Sequence, residues 1–387
     1  MKKILLSCFA LAVGFAASAT DLDSLCYAAA AKNAAVQAKN VQYRAERFEA
    51  AYDNALSGLE VDVDYKFAQE GENRWGVAVG QSFDWPGVYA ARNRSMKYRA
   101  KAYEQLIRQD IIDKGLEVKL AAISYAKASM NHKILGDARN NFKELLDNLD
   151  RAFKRGETTI LAYRKAQLQM MQIDTQLAEA ENEISAAEAV LETFYPGCSD
   201  QFKGIHFSVP ALRAEDEYAS ALDKTPGMLA IADQIEAGLN DVSVASRSAL
   251  PSFKVSYNHD YEDGKHFNGF GIGITLPSWQ PRKAVKAAEA RFAAYIYEVR
   301  SLNMLQHAQM HADYTEALRL YKRIGSQTDL LADDYPGLLK KAYEAGILTI
   351  FEYLTEYNSY LDTISAHNDL VMRYISLEAQ LSKYLAR

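Results

Sequence analysis

The stretch Phe153-Lys-Arg-Gly-Glu-Thr-Thr-Ile160 recurs 190 residues later as Tyr343-Glu-Ala-Gly-Ile-Leu-Thr-Ile350. Identical residues stay in register around the two copies, among them Gly156 with Gly346, Thr159 with Thr349, and Tyr163 with Tyr353. Farther upstream, Val61-Asp-Val-Asp-Tyr65 has a counterpart in Phe253-Lys-Val-Ser-Tyr257. A duplicated unit of this size is typical of a tube built from repeats and not of a compact enzyme.

The duplication divides the chain into four parts. Residues 1–19 are predicted to be an export signal, with Lys2 and Lys3 before an apolar stretch and Ala17-Ser18-Ala19 as the cleavage site. Residues 20–197 are the first repeat: a helix, a β-hairpin at 59–84, and a long helical hairpin that turns at 155–158. A linker follows at 198–211. Residues 212–387 are the second repeat, with its β-hairpin at 251–277 and its helical turn at 345–348.

The three cysteines bear on how the chain is processed. Cys8 follows a Leu-Leu-Ser sequence that resembles a lipoprotein cleavage box. The apolar run before Cys8 is only about three residues long, too short for the apolar region of a signal, so removal of Cys8 with the signal is favoured over lipidation. Cys26 and Cys198 remain, near predicted helix ends and in an oxidising compartment. A disulfide between them and two buried thiols are both compatible with the sequence.

Composition restricts both the partners and the route across a membrane. The formal net charge is −6 and no block of basic residues occurs, so nucleic acid is not expected as a partner. After the signal, no stretch approaches the roughly 18 consecutive apolar residues of a membrane-spanning helix. Any part of the mature chain that crosses a bilayer is therefore expected to do so as strands.

Two pairs of segments alternate with a period of two and are predicted to be strands. They are about 10–11 residues long, which suits a tilted strand that crosses a bilayer. The second pair is expected to be joined by a polar loop at 260–266. A soluble sheet covered by helices fits less well, because the flanking helices are too long to fold back over it. The residues expected to face lipid are Val61, Val63, Val77, Val79, Phe253, Val255, Ile272 and Ile274.

Long helical segments flank the strands, at 88–154, 158–194, 283–344 and 349–386. The first contains no proline and can run for some 65 residues, about 100 Å at 1.5 Å per residue. Interruptions of the third are predicted near Gly325 and at Pro336-Gly337. Small and apolar residues recur at coiled-coil spacing. Helices of this length are therefore predicted to pack on one another as hairpins and on neighbouring chains.

No pattern of catalytic residues stands out in the chain. It lacks a Gly-rich phosphate loop, a Gly-x-Ser-x-Gly turn and a Cys-x-x-Cys pair. His307 and His311 have helical i, i+4 spacing, but no acidic metal motif accompanies them, so an ordinary polar face is favoured. We expect no enzymatic activity, no cofactor and no resident metal. His259 and His266, with Asp260, Glu262 and Asp263, are expected to form a polar extracellular loop, for which incidental metal binding is the less favoured alternative.

The paired turns resemble those of TolC-type outer-membrane efflux proteins, the outer-membrane components of tripartite export systems. The strand-to-helix junctions Phe83-Asp-Trp-Pro-Gly-Val-Tyr-Ala-Ala-Arg92 and Leu276-Pro-Ser-Trp-Gln-Pro-Arg-Lys-Ala284 resemble the family's junctions as well. The resemblance covers essentially the whole chain after the signal. It implies a mainly α fold with a small β part. Long antiparallel helical hairpins would form an α-barrel, and four transmembrane strands per chain would combine in a trimer into a 12-stranded β-barrel.

The resemblance also implies a location and partners. It implies a homotrimer in outer-membrane lipid with a periplasmic helical extension, a periplasmic adaptor (membrane fusion) protein and an inner-membrane pump. Glu352 matches an acidic position of the family and would lie at the periplasmic gate. The first copy has Ala162 there, so each chain would contribute one carboxylate at that level and not two. The implied adaptor-docking residues of the turns are Arg155, Gly156, Thr159, Ala345, Gly346 and Thr349.

The resulting hypothesis is a passive channel-tunnel for efflux or secretion, an exit for small molecules, metal ions or peptides that the pump delivers. The alternative is a periplasmic coiled-coil adaptor or scaffold that never inserts in the membrane. Adaptors have one helical hairpin between soluble β-domains, whereas this chain has two hairpins and only hairpin-sized strand pairs. The face that the strands present to their surroundings distinguishes the two.

Overall fold

The structure, a computed structural model, describes residues 22–67, 73–205, 207–276, 281–331 and 334–386. The predicted export signal with Cys8, most of the first polar turn, and part of the second strand-to-helix junction lie outside these residues. Within the described ranges, helices and four strands follow one another in the predicted order.

Within the described residues, the first half contains four α-helices and one strand pair. The elements are α1 (Leu22–Lys32), α2 (Ala34–Asp53), β1 (Glu60–Lys66), β2 (Arg74–Phe83), α3 (Pro86–Lys154) and α4 (Ile160–Glu192). The sequence predicts one helix where α1 and α2 lie. The break occurs at Asn33, whose side chain caps α2 by accepting the Ala35 N–H at 3.0 Å. The Asn33 amide also donates to the carbonyl of Phe194, which fixes the break against a distant part of the chain.

Helix α3 is 69 residues long, which corresponds to about 100 Å. It begins with Pro86, which is well suited to a first helical position because its missing N–H would be unpaired there. α1 packs closely against the middle of α3. A Cβ atom at Gly115 would lie 2.5 Å from Tyr27, so glycine is required for this approach. Among the described residues, no helix is both long and apolar enough to span a bilayer.

The second half contains five helices and one strand pair within the described residues. The elements are α5 (Glu215–Leu222), α6 (Pro226–Arg247), β3 (Ser252–Glu262), β4 (Lys265–Thr275), α7 (Pro281–Leu331), α8 (Tyr335–Glu344) and α9 (Ile350–Ser382). α7 continues through Gly325, where the sequence predicts an interruption. α8 begins beside the other predicted break, with Asp334 as its N-cap accepting the Gly337 N–H at 3.1 Å.

The polar loop predicted at 260–266 is much shorter than expected. β3 and β4 extend through most of it, and only Asp263 and Gly264 form the turn. Both have positive φ, +49° and +74°. Asp-Gly with two positive φ angles is the type I′ turn, whose twist matches that of antiparallel strands.

The four strands form one antiparallel sheet in the order β1-β2-β3-β4. The central pairing, β2 with β3, joins the two halves of the chain. Long helical hairpins and four strands per chain confirm the predicted fold class.

In the part of the chain that the structure describes, the core is divided into three clusters that lie between helices. One cluster joins α1, α3, α4 and the segment after α4, and includes Cys26, Val118 and Leu191. A second joins α5, α7 and α9 around Tyr218 and Tyr374. The third lies near the turns of the helical hairpins. Helices of this length therefore bury their apolar faces pairwise along their length, as the sequence predicts.

Cys26 and Cys198 lie in the same cluster but form no disulfide bond. Both are buried, with 1% and 0% of their surface exposed. Burial raises the pKa of the Cys198 thiol, which favours the neutral form. Both cysteines are therefore buried thiols, which is the second of the two alternatives compatible with the sequence.

Candidate functional site

Each long helical hairpin ends in a glycine turn with the same geometry. Gly156 has a φ of +77° and Gly346 a φ of +71°, a region that favours glycine. This pattern is a Schellman motif, which satisfies the last carbonyl groups of a helix. The same two backbone hydrogen bonds close both turns. In the first turn, the Glu157 N–H donates to the Ala152 carbonyl (2.9 Å) and the Gly156 N–H donates to the Phe153 carbonyl (3.0 Å). In the second turn, the Ile347 N–H donates to the Ala342 carbonyl (2.9 Å) and the Gly346 N–H donates to the Tyr343 carbonyl (3.0 Å).

The helix after each turn begins at a threonine N-cap. Thr159 Oγ1 accepts the Ala162 N–H at 3.2 Å, and Thr349 Oγ1 accepts the Glu352 N–H at 3.3 Å. In the second copy, Glu352 Oε2 also accepts the Thr349 N–H at 2.8 Å, which completes a capping box. Ala162 has no side chain that can do this. The sequence difference between the copies is therefore a difference in capping as well as in charge.

Glu352 is exposed in the single chain, and its main partner is the backbone of Thr349. That hydrogen bond lowers the pKa of the Glu352 carboxyl, because it stabilises the ionised form. A ring of three such carboxylates in a trimer would act in the opposite direction, since like charges raise the pKa of their neighbours. The capping box therefore opposes protonation of such a ring.

An aromatic pair joins the two arms of each hairpin directly behind the turn. Phe153 stacks on Tyr163 with ring centroids 5.8 Å apart and an angle of 2° between the rings. Tyr343 and Tyr353 form the equivalent pair at 5.3 Å and 36°. The sequence repeat places Tyr163 and Tyr353 in register, but their role emerges only with the partner across the hairpin. These pairs hold the turns at the ends of paired helices.

The exposed surfaces of the two turns differ in chemistry. In the first turn, the Arg155 guanidinium lies 2.8 Å from the Glu157 carboxylate. In the second turn, Ala345 stands in place of the arginine and is followed by Ile347, which is 75% exposed. One turn thus presents an ion pair and the other a bare aliphatic side chain.

A buried cluster packs the two hairpins against each other near the turns. Its apolar members come from α3, α4, α8 and α9, with Phe142 and Leu354 among them. It also encloses a reciprocal amide pair: Gln169 Nε2 donates to Asn358 Oδ1 at 2.7 Å, and Asn358 Nδ2 donates to Gln169 Oε1 at 2.8 Å. Because a buried amide is costly to leave unpaired, this pair fixes the position of α4 relative to α9.

The sheet register sorts the strand residues onto two faces. Val61 pairs with Val79, Val63 with Val77 and Val255 with Ile272. Directly paired residues in antiparallel strands point to the same side of the sheet, and successive residues alternate. The eight residues that the sequence predicts to face lipid therefore share one face: Val61, Val63, Val77, Val79, Phe253, Val255, Ile272 and Ile274.

The opposite face carries mainly glycine, alanine, serine, asparagine and charged residues. A Cβ atom at Gly76 would meet the carboxylates of Asp260 at 2.5 Å and Asp64 at 2.9 Å, so glycine makes room for them. Lys254 forms an ion pair with Glu60 on the same face. This face can contact water, whereas the other face is largely apolar.

Both edges of the sheet are open within the described residues. β1 pairs only with β2 and β4 only with β3, so each edge leaves backbone donors and acceptors unpaired. The apolar face is also uncovered, with Val63 72% and Ile272 80% exposed. Exposed apolar surface of this extent marks contact with lipid or with another protein.

The histidines on α7 face acidic residues of neighbouring elements. His307 Nε2 lies 3.1 Å from Asp223 Oδ1, and His311 Nδ1 lies 2.6 Å from Glu215 Oε1. In the part of the chain that the structure describes, no group of three or more His, Cys, Asp or Glu side chains is placed to hold a metal ion.

Comparison with known proteins gives matches in structure and not in sequence. No protein-family model and no curated protein matches the chain. A membrane protein from Pseudomonas aeruginosa has a TM-score of 0.78 at 16% identity, covering 94% of this chain and 92% of that one. The outer membrane protein VceC from Vibrio cholerae has a TM-score of 0.75 at 16% identity, covering 94% and 95%. The chain has the fold of TolC-type outer-membrane channels.

A further similar structure is the CmeC outer membrane channel of Campylobacter jejuni, with a TM-score of 0.73 at 16% identity, covering 94% of this chain and 85% of that chain. In the TolC-type fold of this protein, α3 leads from the end of β2 to the first glycine turn. The open sheet and the turn at Gly156 are therefore about 100 Å apart along that helix. The apolar face of the sheet and the glycine turns therefore lie at opposite ends of α3.

Proposed function

We propose that this protein is the outer-membrane channel-tunnel of a tripartite efflux or secretion system. The observation that carries the proposal is the two-faced sheet with both edges open. Four strands cannot close on themselves, and an open edge in lipid leaves backbone groups without partners. Three chains supply twelve strands, which close into one barrel with the apolar face toward lipid and the glycine-rich, charged face toward a water-filled pore.

The helices extend this pore into the periplasm in the proposal. The two repeats, 20–197 and 212–387, each contribute one long hairpin, joined through the linker at 198–211. The turns contact a periplasmic adaptor through Arg155 and Ala345 and the capped glycine turns beside them. The adaptor connects the trimer to an inner-membrane pump. Small molecules, metal ions or peptides leave passively through the channel, and the pump supplies the energy.

Insertion of the sheet in lipid is tested by placing one charge on each face. Val77→Arg and Ile272→Arg put a cation on the apolar face at two depths, four residues apart along β3, where an arginine costs up to about 2–4 kcal/mol at the bilayer midplane and less toward the rim. Gly269→Arg is the matched control, because it adds the same charge to the opposite face, where no atom lies within 4 Å of its Cβ position. We expect only the control to yield three-fold particles from detergent-extracted outer membranes, observed by electron microscopy.

The opposite result would favour a different function. If Val77→Arg and Ile272→Arg both give soluble, folded protein that still forms its normal complex, the apolar face does not contact lipid. The protein would then be a periplasmic scaffold. Failure of the control as well, with aggregated protein in all three variants, would mean that the glycine face does not line water.

Glu352 is proposed to form the periplasmic gate as a three-fold ring of carboxylates. Such a ring attracts cations and repels anions. We expect Glu352→Ala to reduce cation selectivity, or to raise conductance by weakening closure, in single-channel recordings. Glu183→Ala, which removes an exposed carboxylate of α4 far from the turns, is the control. Unchanged conductance and ion preference in Glu352→Ala would exclude the gate role.

A further inference from the structure

A pair of histidines bridges β3 and β4 at the turn end of the sheet. His259 Nε2 lies 3.3 Å from His266 Nδ1, and the two rings stack with centroids 5.3 Å apart. The two residues are not directly opposite, since His259 pairs with Asn268 and His266 with Tyr261. They are diagonal neighbours on the face that also carries Val77, which pairs directly with His259, and both lie within four residues of the turn at the rim of that face. The short Asp-Gly turn and the strand register together fix their separation.

A hydrogen-bond network sets the tautomer of His259. Asn268 Oδ1 accepts the Tyr257 hydroxyl at 2.7 Å and lies 2.8 Å from His259 Nδ1. An amide oxygen only accepts hydrogen bonds, so the neutral His259 ring carries its proton on Nδ1. Its Nε2 lone pair then points toward His266. Metal-binding histidines are oriented in this way, with the second nitrogen donating to a fixed acceptor.

The separation of the two nitrogens matches that of two ligands on one metal ion. Zinc–nitrogen bonds of about 2.0–2.1 Å with tetrahedral angles place two ligand nitrogens about 3.4 Å apart. When His266 carries its proton on Nδ1, the same separation accommodates an N–H···N hydrogen bond. In its other tautomer, both facing nitrogens present lone pairs, with no change in net charge.

We propose that His259 and His266 form a binding site for a divalent transition-metal ion such as Zn²⁺, Ni²⁺ or Cu²⁺. Imidazole ligands suit these ions, and because the pair lies at the turn end of the sheet, at the rim of the proposed barrel, water can complete the coordination at the exposed side of His266. A bound ion joins β3 to β4 and stabilises their hairpin. The site lies on the sheet and does not depend on the adaptor, the pump or the cargo of the proposed channel.

Trp75 provides a reporter for this site, because its ring centroid lies 5.7 Å from that of His259. The test is a titration of the full-length protein in detergent with Cu²⁺ or Ni²⁺, followed by tryptophan emission. These ions quench a nearby indole, so we expect saturable quenching at one ion per chain. Zn²⁺, which does not quench, should displace them. Isothermal titration with Zn²⁺ gives an independent stoichiometry.

The variants separate the proposed site from other histidines. His259→Asn and His266→Phe should abolish saturable quenching, and Asn268→Ala should weaken binding about 10-fold by releasing the orientation of His259. The control His307→Gln with His311→Gln removes the other closely spaced pair and should change nothing. Circular dichroism checks that each variant is folded. Saturable quenching that survives in folded His266→Phe, or quenching that never saturates in the unmodified protein, would overturn the proposal.

Discussion

Ala162 and Glu352 occupy equivalent positions after the two turns, but their surroundings differ. Ala162 is only 2% exposed, whereas Glu352 is exposed and caps α9. A carboxylate at position 162 would be buried, which is unfavourable without a partner. The first copy therefore has alanine at this position because this side of α4 is buried. The sequence repeat alone does not reveal that burial.

The capping box predicts how stability depends on pH. The Thr349 backbone lowers the pKa of Glu352 in the folded state, so its ionised form stabilises the protein at neutral pH. This contribution is present above the ordinary carboxyl pKa and is lost as pH falls through the lower, folded-state value. We expect Glu352→Gln to lower the melting temperature at pH 7, and the difference from the unmodified protein to disappear in strong acid.

The control for this pH series is Glu183→Gln, which neutralises an exposed carboxylate inside α4, nine residues before the last residue of that helix. It should shift the melting temperature little at any pH. A carboxyl with a lowered pKa in the folded state cannot make the unmodified protein gain melting temperature over Glu352→Gln as the pH falls. Such a gain would mean that the pKa of Glu352 is raised in the folded state. In that case the ring of like charges, and not the cap, would dominate in the assembled protein.

At the scale of elements, the glycine turns are the points where two long helices reverse. The positive φ of Gly156 and Gly346 is a conformation that other residues adopt at a cost of about 1–2 kcal/mol. We expect Gly156→Ala and Gly346→Ala each to lower the melting temperature. Gly136→Ala should raise it, because Gly136 lies inside α3 with no atom within 4 Å of its Cβ position and alanine is favoured there by about 1 kcal/mol.

These three variants make the same chemical change, so only the backbone conformation distinguishes them. A shift of the same sign in all three would mean that the turns are not held in the left-handed conformation in the assembled protein. Far-ultraviolet circular dichroism during melting reports on the helices directly, and the predominance of helix in the fold makes this signal large.

The elements also show which features local sequence can predict. The helical hairpins, their turns and the two faces of the strands follow from short patterns of glycine, threonine and alternating apolar residues. The break at Asn33 depends on a hydrogen bond to Phe194, and the amide pair Gln169–Asn358 joins residues 189 positions apart. Such contacts arise only when distant segments meet. The Asp263–Gly264 turn is different, because Asp-Gly is itself a local signal for a two-residue hairpin turn, which the prediction of a polar loop at 260–266 does not take into account.

At the scale of the whole molecule, the open edges of the sheet are where the chains of the proposed trimer would pair. β1 and β4 of one chain are separated by three strand spacings, about 14 Å. A disulfide requires Cα atoms about 4.4–6.8 Å apart. A cysteine on β1 therefore cannot bond to a cysteine on β4 of the same chain, and any such bond reports contact between chains.

This geometry gives a direct test of the proposed trimer. Val63→Cys on β1 is combined in turn with a cysteine at each β4 position from 268 to 274, and crosslinks are detected on non-reducing gels. Positions 268, 270, 272 and 274 of β4 lie on the same face of the sheet as Val63. If β1 of one chain pairs with β4 of the next, linked dimers and trimers should form with a cysteine at one of these four positions, or at two that are neighbours on that face. Positions 269, 271 and 273 are matched controls, because their side chains lie on the opposite face.

The pattern of crosslinks decides between closure and chance contact. Pairing in a fixed register confines the bonds to one face, because the side chains of a strand alternate. Collisions between unassembled chains would produce bonds at both faces with similar yield. The native thiols do not interfere, since Cys26 and Cys198 are buried away from the sheet in the cluster between α1, α3 and α4. Crosslinks without alternation would mean that the sheet edges do not pair, and the closed barrel would have to be abandoned.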